Sequence, residues 1–348
     1  MPIIKSNKNN IFREPVAILG ASGIVGQIFA WLLSTHPWFE PVMFCATSKR
    51  KGQQYGKDIP WLLPVEKPES LVESSFEKND INKLRKRGVK IVFSALPGNV
   101  AGEIEDNLRQ EGFFIFSNAG AHRMETNTPI IIPEINSYDI NQIKPQGFPE
   151  SGFIICNSNC AVSGLALSIA PLMNLGITGL TVATYQSISG AGYPGIPSLD
   201  IAGGILTKIN GEENKIPLEI NKIFKTDINI FPTCVRVAVP FGHLISVWVD
   251  FADKISKKEI LQNWGNFGMQ SYQLPSLPNQ TIVYSDDHRE LSPTKSFLGN
   301  PSGMQVRIGR LQVENNRARF IVLVNNLVRG AAAGSIANAE LFLKTFGN

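Results

Sequence analysis

The chain has 348 residues, 43% hydrophobic and 18% charged, an ordinary globular composition with length enough for two domains that each bury a core. A formal net charge of +4 does not point to nucleic acid, since dense Lys/Arg runs occur only at residues 49–51 and 83–90, but it leaves anionic small molecules open. Cys45, Cys156, Cys160 and Cys234 lack the paired spacing of a zinc site and are too few for a disulfide scaffold, so a reducing, cytoplasmic setting without a metal is expected.

Residues 1–14 form a polar leader without the apolar stretch of a signal peptide, and no later run is long enough to span a bilayer, so secretion and membrane insertion are both disfavoured. Residues 16–19 then read as a buried parallel strand. The turn Gly20, Ala21, Ser22, Gly23, Ile24, Val25, Gly26 leads directly into a helical pattern over 24–34. Strand, glycine turn and helix in that order suit a dinucleotide: Gly20 permits the tight turn, Gly23 lets the backbone approach a pyrophosphate, and Gly26 lets helix pack on strand. The spacing is GxxGxxG, a variant that alone also describes a βα turn with no ligand.

A second strand over 41–46 ends in Thr47, Ser48, Lys49 and Arg50, where an NAD-selective protein would carry an acidic residue for the ribose hydroxyls. Hydroxyls and cations there suit a 2′-phosphate, which predicts NADP(H); the competing reading is two cations solvating a loop. A helix over 79–87, a strand over 89–93, a helix over 100–111 and strands over 113–116 and 153–156 continue the alternation expected of a doubly wound, Rossmann-type parallel sheet.

Beyond that point the pattern changes. Long, nearly consecutive strands are expected over 180–188, 234–239, 243–251, 304–314 and 317–325, as a second α+β domain of mostly antiparallel sheet with a face for a subunit or for the first domain. The division expected is a dinucleotide-binding domain at 1–157 and a catalytic and dimerisation domain at 158–329, with a final helix at 330–348 returning to the first.

At the junction, Asn157, Ser158, Asn159 and Cys160 lie between an apolar strand and a helical run. A thiol at the first turn of a helix meets the positive end of the dipole and unpaired N–H groups, which lower its pKa and can hold an oxyanion. A lone cysteine at a strand end is more often a small core residue. Pro171 should kink or end the helix that follows.

GASGIVGQ at Gly20–Gln27, SNAGAHRM at Ser117–Met124, NSNC at Asn157–Cys160, QSISGAGYPGIPSLDI at Gln186–Ile201, EENKI at Glu212–Ile216, RVAVPFGH at Arg236–His243 and the terminal VRGAAAGSIANAEL together resemble the aspartate-β-semialdehyde dehydrogenase family, particularly its archaeal and fungal branch. The resemblance covers nearly the whole chain in order. It implies a glyceraldehyde-phosphate-dehydrogenase-like pair of domains and reduction of β-aspartyl phosphate with NADPH to aspartate semialdehyde and phosphate, in amino-acid biosynthesis, by a homodimer or homotetramer. Cys160 would form a thioester and His243 would act as acid and base. Gln186 would orient the acyl group, Arg236 clamp the α-carboxylate and Glu212 meet the α-ammonium, with Arg123 and Lys215 at the phosphate. Asn118 and Asn159 would hydrogen-bond the nicotinamide or the reacting carbonyl. The resemblance further assigns Ser22, Ile24, Val25, Ser94, Leu96, Gly190 and Asn326 to the cofactor. Glu212 and Lys215 also have the spacing of an ordinary helical ion pair.

This sequence departs from the family near the expected site. Ala161 and Val162 replace Ser-Thr after the cysteine, His122 precedes Arg123 where an aromatic or apolar residue is usual, and Leu244-Ile245 follow His243. Malonyl-CoA reductase is an alternative with a similar Gln186–Asp200 loop and His-Arg pair, but a CoA thioester offers no ammonium to Glu212. N-acetyl-glutamyl-phosphate reductase typically reads Pro-Gly-Cys at the nucleophile. A non-catalytic nucleotide-binding paralogue is disfavoured by the joint presence of Cys160, Gln186, Arg236 and His243.

Overall fold

The computed structural model describes residues 13–268 and 273–347, so most of the polar leader lies outside it. In chain order the strands are β1 (Glu14–Leu19), β2 (Phe39–Cys45), β3 (Phe76–Glu77), β4 (Ile91–Ser94), β5 (Phe114–Ser117), β6 (Phe153–Cys156), β7 (Ile177–Gln186), β8 (Ile205–Leu206), β9 (Asn229–Val237), β10 (His243–Phe251), β11 (Ile282–Ser285), β12 (Val306–Glu314) and β13 (Arg317–Val324). The helices are α1 (Ile24–Leu33), α2 (Ile81–Lys86), α3 (Gly98–Gln110), α4 (Pro133–Asn136), α5 (Cys160–Ile169), α6 (Ser198–Ile201), α7 (Glu212–Phe224), α8 (Lys257–Asn266) and α9 (Ala333–Phe346).

The chain forms two compact units. The first comprises the residues up to Pro133, Ser137–Asn157 and those from Ala332 on; the second comprises Glu134–Asn136 and Ser158–Ala331. In the first unit six parallel strands take the order β3-β2-β1-β4-β5-β6. This is the doubly wound arrangement, whose direction of winding reverses between β1 and β4. The interior strands read as unbroken apolar runs because helices cover both faces: residues 16–19 and 91–94 are all buried. The C-terminal helix α9 packs on β4 and β5. Phe342 stacks edge-on against Phe114 at 5.2 Å and lies 4.9 Å from Phe153, ring contacts that fix its place on the sheet.

In the second unit seven strands take the order β11-β12-β13-β10-β7-β9-β8. Most pairs are antiparallel, but β7 pairs with β9, and β11 with β12, in parallel, so the sheet is mixed. One face carries α5 and α7. Alternation along β7 is clean, with Leu180, Val182, Thr184 and Gln186 buried and Thr181 and Tyr185 exposed. Helix α5 stops at Ile169, and Ala170–Leu175 continues as a 3₁₀ turn with Pro171 in its first positions, the break that the proline dictates.

Candidate active site

Sheet register gathers the second unit's polar side chains at one edge. Because β7 and β9 run parallel, their C-terminal ends coincide and Gln186 sits opposite Arg236. Because β10 and β13 are antiparallel, the first residue of β10, His243, pairs with the last of β13, Val324. Helix α5 starts at Cys160 and packs on β10 and β13 at this same end.

Cys160 Sγ lies 3.1 Å from His243 Nε2. Cys160 is partly exposed, whereas Cys45 and Cys234 are buried, and burial pushes their thiols up to about 12 and about 11 respectively. His243 is fully buried. Loss of hydration, followed by the nearby Arg236 charge, holds its pKa down from 6.5 to about 3, so the imidazole is neutral at physiological pH. Its Nδ1 receives the backbone N–H of Ser187 at 3.0 Å and lies 3.1 Å from Ser187 Oγ.

Asn159 caps α5. Its Oδ1 accepts the N–H groups of Ala161 (2.8 Å) and Val162 (3.3 Å), and its Nδ2 donates to Glu212 Oε1 at 2.5 Å. The cap therefore occupies the Ala161 and Val162 amides, two of the first-turn groups that sequence reasoning offered to an oxyanion, and it also commits the Asn159 side chain. The Asn159 backbone N–H donates to Glu219 Oε2 at 2.6 Å. Glu219 is a buried carboxylate that sequence reasoning missed. Glu212, Ile216, Glu219, Ile220 and Ile223 form the buried face of α7, and acids at helical spacing on an apolar face were the available signal.

Glu212 is buried, and besides Asn159 it accepts from Gln186 Nε2 at 3.4 Å and from Lys215 Nζ at 3.3 Å. The Glu212–Lys215 contact is the helical ion pair its spacing predicted, and the Lys215 side chain stays 48% exposed. Arg236 is buried and donates from Nη1 to the Ser187 carbonyl at 2.7 Å. Burial lowers its pKa, opposed by the facing Cys160 and Glu212. Gly190 packs so closely here that a Cβ would stand 2.7 Å from Arg236 Nη1 and 3.4 Å from His243 Nε2. Asn326 lies behind the histidine. Its Oδ1 accepts from Ser187 Oγ (3.1 Å) and the Gly242 N–H (3.0 Å), and its Nδ2 donates to Ser189 Oγ at 3.0 Å.

In the first unit the expected dinucleotide residues meet at the C-terminal ends of β1, β4 and β5, beside the reversal in strand order. Gly20 has φ +70°, and a Cβ there would stand 2.5 Å from the Ala95 carbonyl oxygen, so only glycine fits. Gly23 caps α1 in extended conformation, and no side chain caps that helix. Ser22 and Val25 are half-buried around this turn and Ile24 is buried. A close backbone approach with an uncapped helix start fits a pyrophosphate. Thr47, Ser48 and Lys49 are exposed in a 3₁₀ turn directly after β2, while Arg50 donates to Gln53 at 3.1 Å. Ser94 is buried at the end of β4, with Leu96 half-buried after it, and Asn118 Nδ2 donates to the Ser94 carbonyl at 3.2 Å.

Arg123 is also buried in this unit, donating from Nε to the Asn157 carbonyl at 2.9 Å and from Nη2 to that of Asn118 at 2.8 Å. His122 beside it turns inward, with Nδ1 2.7 Å from Glu125 and Nε2 3.5 Å from buried Glu105, whose pKa burial raises.

Residues 15–143 match the semialdehyde dehydrogenase NAD-binding domain, and residues 169–329 match the semialdehyde dehydrogenase dimerisation domain. The chain belongs to the semialdehyde dehydrogenase family. Among its relatives, the aspartate-semialdehyde dehydrogenase of Archaeoglobus fulgidus is 37% identical over 95% of this chain and 98% of its own. The malonyl CoA reductase (NADP) of Metallosphaera sedula is 32% identical over 94% of this chain and 96% of its own. The crystal structure of Candida albicans aspartate semialdehyde dehydrogenase with NADP superimposes with a TM-score of 0.82 at 30% identity, covering 96% of this semialdehyde dehydrogenase and 99% of that chain. Among the described residues no helix is long and apolar enough to cross a membrane.

Proposed function

We propose that this protein catalyses the NADP-dependent interconversion of β-aspartyl phosphate and aspartate semialdehyde, releasing or consuming phosphate. The observation that carries the reading is the Cys160–His243 contact at 3.1 Å, set beside a buried arginine and a buried carboxylate. The Sγ thiolate attacks the acyl carbon, the C–O bond to phosphate breaks, and a thioester remains on Cys160. A bound NADPH supplies the hydride that reduces it. The oxyanion on the former acyl carbon faces His243 Nε2, and its collapse returns the thiolate and frees the aldehyde.

Arg236 meets the α-carboxylate and Glu212 the α-ammonium, opposite charges matched to opposite ends of one amino acid. Gln186, next to both, orients the acyl oxygen, and Asn159 sets the direction of Cys160 from beneath. Arg123 and Lys215 are the cations we assign to phosphate. Gly20, Ser22, Gly23, Ile24 and Val25 would hold the pyrophosphate of NADP(H) and Thr47, Ser48 and Lys49 its 2′-phosphate; we also assign Ser94, Leu96, Asn118, Gly190 and Asn326 to the cofactor. The alternative, malonyl-CoA reduction, has a relative of that name in its favour and the buried Glu212 carboxylate against it. Purified protein assayed with aspartate semialdehyde, phosphate and NADP⁺, against malonyl-CoA with NADPH, decides between them; the amino-acid substrate should turn over faster.

The assembly we propose is a homodimer through the outer face of the second sheet. In register across β9, β7, β10 and β13 that face presents Phe231, Thr181, Trp248 and Arg319, with Phe231 64% exposed. Two large aromatic side chains on a strand surface, Phe231 and Trp248, favour cover by a second copy. Light scattering should give twice the monomer mass. The free thiols suit the cytoplasm as the working compartment.

A further inference from the structure

We propose that Glu213 is a positioning residue: it clamps the first turn of α7 to the free edge of β9 and so sets Glu212 at the right place, relative to Arg236, to recognise an α-amino acid. The inference deepens the reading of Glu212 and Arg236 as the ammonium and carboxylate partners, and it rests on that reading. Glu213 is half-buried, and its Oε1 accepts the backbone N–H of Cys234 at 3.0 Å. Arg236 stands two residues further along the same strand. An α-carboxylate and an α-ammonium share one carbon, so the groups that grip them must be fixed with respect to each other. The Glu213 to Cys234 hydrogen bond joins the helix turn that carries Glu212 to the strand that carries Arg236.

Strand β9 calls for an acceptor at this point. On one side it pairs along its length with β7, where Thr184 stands opposite Cys234. On the other side it meets only the two residues of β8, opposite Arg236 and Val237. The Cys234 N–H lies before that pairing begins, and an edge N–H without a ladder partner is satisfied by whatever acceptor reaches it. A carboxylate oxygen makes that bond stronger than a neutral acceptor would.

Helix α7 also calls for an anchor. Its N-cap, Gly211, is left-handed at φ +73° and offers no side chain to the first turn. Pro217 has no N–H, so the Glu213 carbonyl cannot receive its i+4 helical hydrogen bond. The turn is thus tied less firmly to its own helix, and two adjacent side chains hold it from outside. Successive helical residues project about 100° apart, which lets Glu213 face the strand while Glu212 faces the site. There Glu212 receives Asn159 Nδ2 at 2.5 Å and Gln186 Nε2 at 3.4 Å.

The test compares Glu213→Ala, Glu213→Asp, whose carboxylate is one methylene short, and Glu213→Gln, whose amide oxygen still accepts. In Ala and Asp the KM for aspartate semialdehyde should rise about tenfold, the scale of one lost hydrogen bond to a charged group. Their kcat/KM for succinate semialdehyde, which lacks the α-amino group, and their affinity for NADP⁺ should stay as in the unmodified protein. Gln should restore the KM. Equal losses on the two aldehydes, no loss on either, or a Gln variant as impaired as Ala overturns the proposal. A second readout needs no substrate: hydrogen exchange at the Cys234 amide should quicken in Ala and Asp and remain slow in Gln. Exchange that ignores residue 213 removes the clamp itself, whereas a clamp visible in exchange on a protein that does not oxidise aspartate semialdehyde strikes the proposed reaction.

Discussion

Glu219 Oε2 accepts the backbone N–H of Asn159 at 2.6 Å, and Glu212 Oε1, two turns earlier on the same helix, accepts the Asn159 side chain at 2.5 Å. The residue before the nucleophile is therefore gripped twice by the helix whose first residue we assign to substrate recognition.

Removing that grip should loosen the nucleophile. Glu219→Ala leaves a buried N–H unsatisfied and should cost about 1–3 kcal/mol of stability. It should also lower kcat by roughly tenfold with cofactor affinity intact, since about 1 Å of misplacement is expensive at a reacting atom. Glu219→Gln, whose amide oxygen can still accept, should recover most of both. Urea unfolding and steady-state kinetics on the pair of variants check this.

Cys160→Ser should abolish turnover and leave NADP(H) binding unchanged, because a hydroxyl is far less ionised than a thiol and forms no thioester. His243→Ala should lower turnover by about 10²- to 10⁴-fold, the range of a positioned polar group at a reacting centre. A loss under tenfold would move the role to another residue.

The substrate clamp should be selective. Arg236→Leu or Glu212→Gln should weaken productive binding by about 2–5 kcal/mol, much of it from the charge left unpaired. An analogue lacking the α-amino group should be nearly indifferent to Glu212→Gln. Equal sensitivity of both compounds, seen in kcat/KM, would remove the amino-acid assignment.

Cofactor choice should follow the exposed turn after β2. Calorimetric titration should show NADPH bound more tightly than NADH, and Lys49→Ala should narrow the gap by about tenfold, or ~1.4 kcal/mol. Tighter NADH binding in the unmodified protein would show that this turn reads no phosphate.

Stability should fall with acid in a defined window. Unfolded His243 takes a proton as the pH drops through 6.5, whereas the folded imidazole resists until about 3, so the unfolded state binds more protons between these values. The folded state is favoured fully above 6.5 and loses ground steadily below it. Thermal melts at pH 8 and pH 5 should differ less in His243→Gln than in the unmodified protein; an equal difference would assign the acid sensitivity elsewhere.

Local pattern was enough for much of this protein. The glycine turn between β1 and α1, the apolar runs of the parallel strands and the placement of Cys160 at a helix start are each written in adjacent residues, because φ preference, burial and dipole act over one or two turns of chain. Strand ends were less legible: β9 begins at Asn229, before the expected 234, and the short β3, β8 and β11 carry too few residues to show alternation. What only tertiary structure decided are relations between distant residues. Parallel pairing of β7 with β9 set Gln186 beside Arg236, and packing of α7 beneath α5 gave Asn159 two carboxylates.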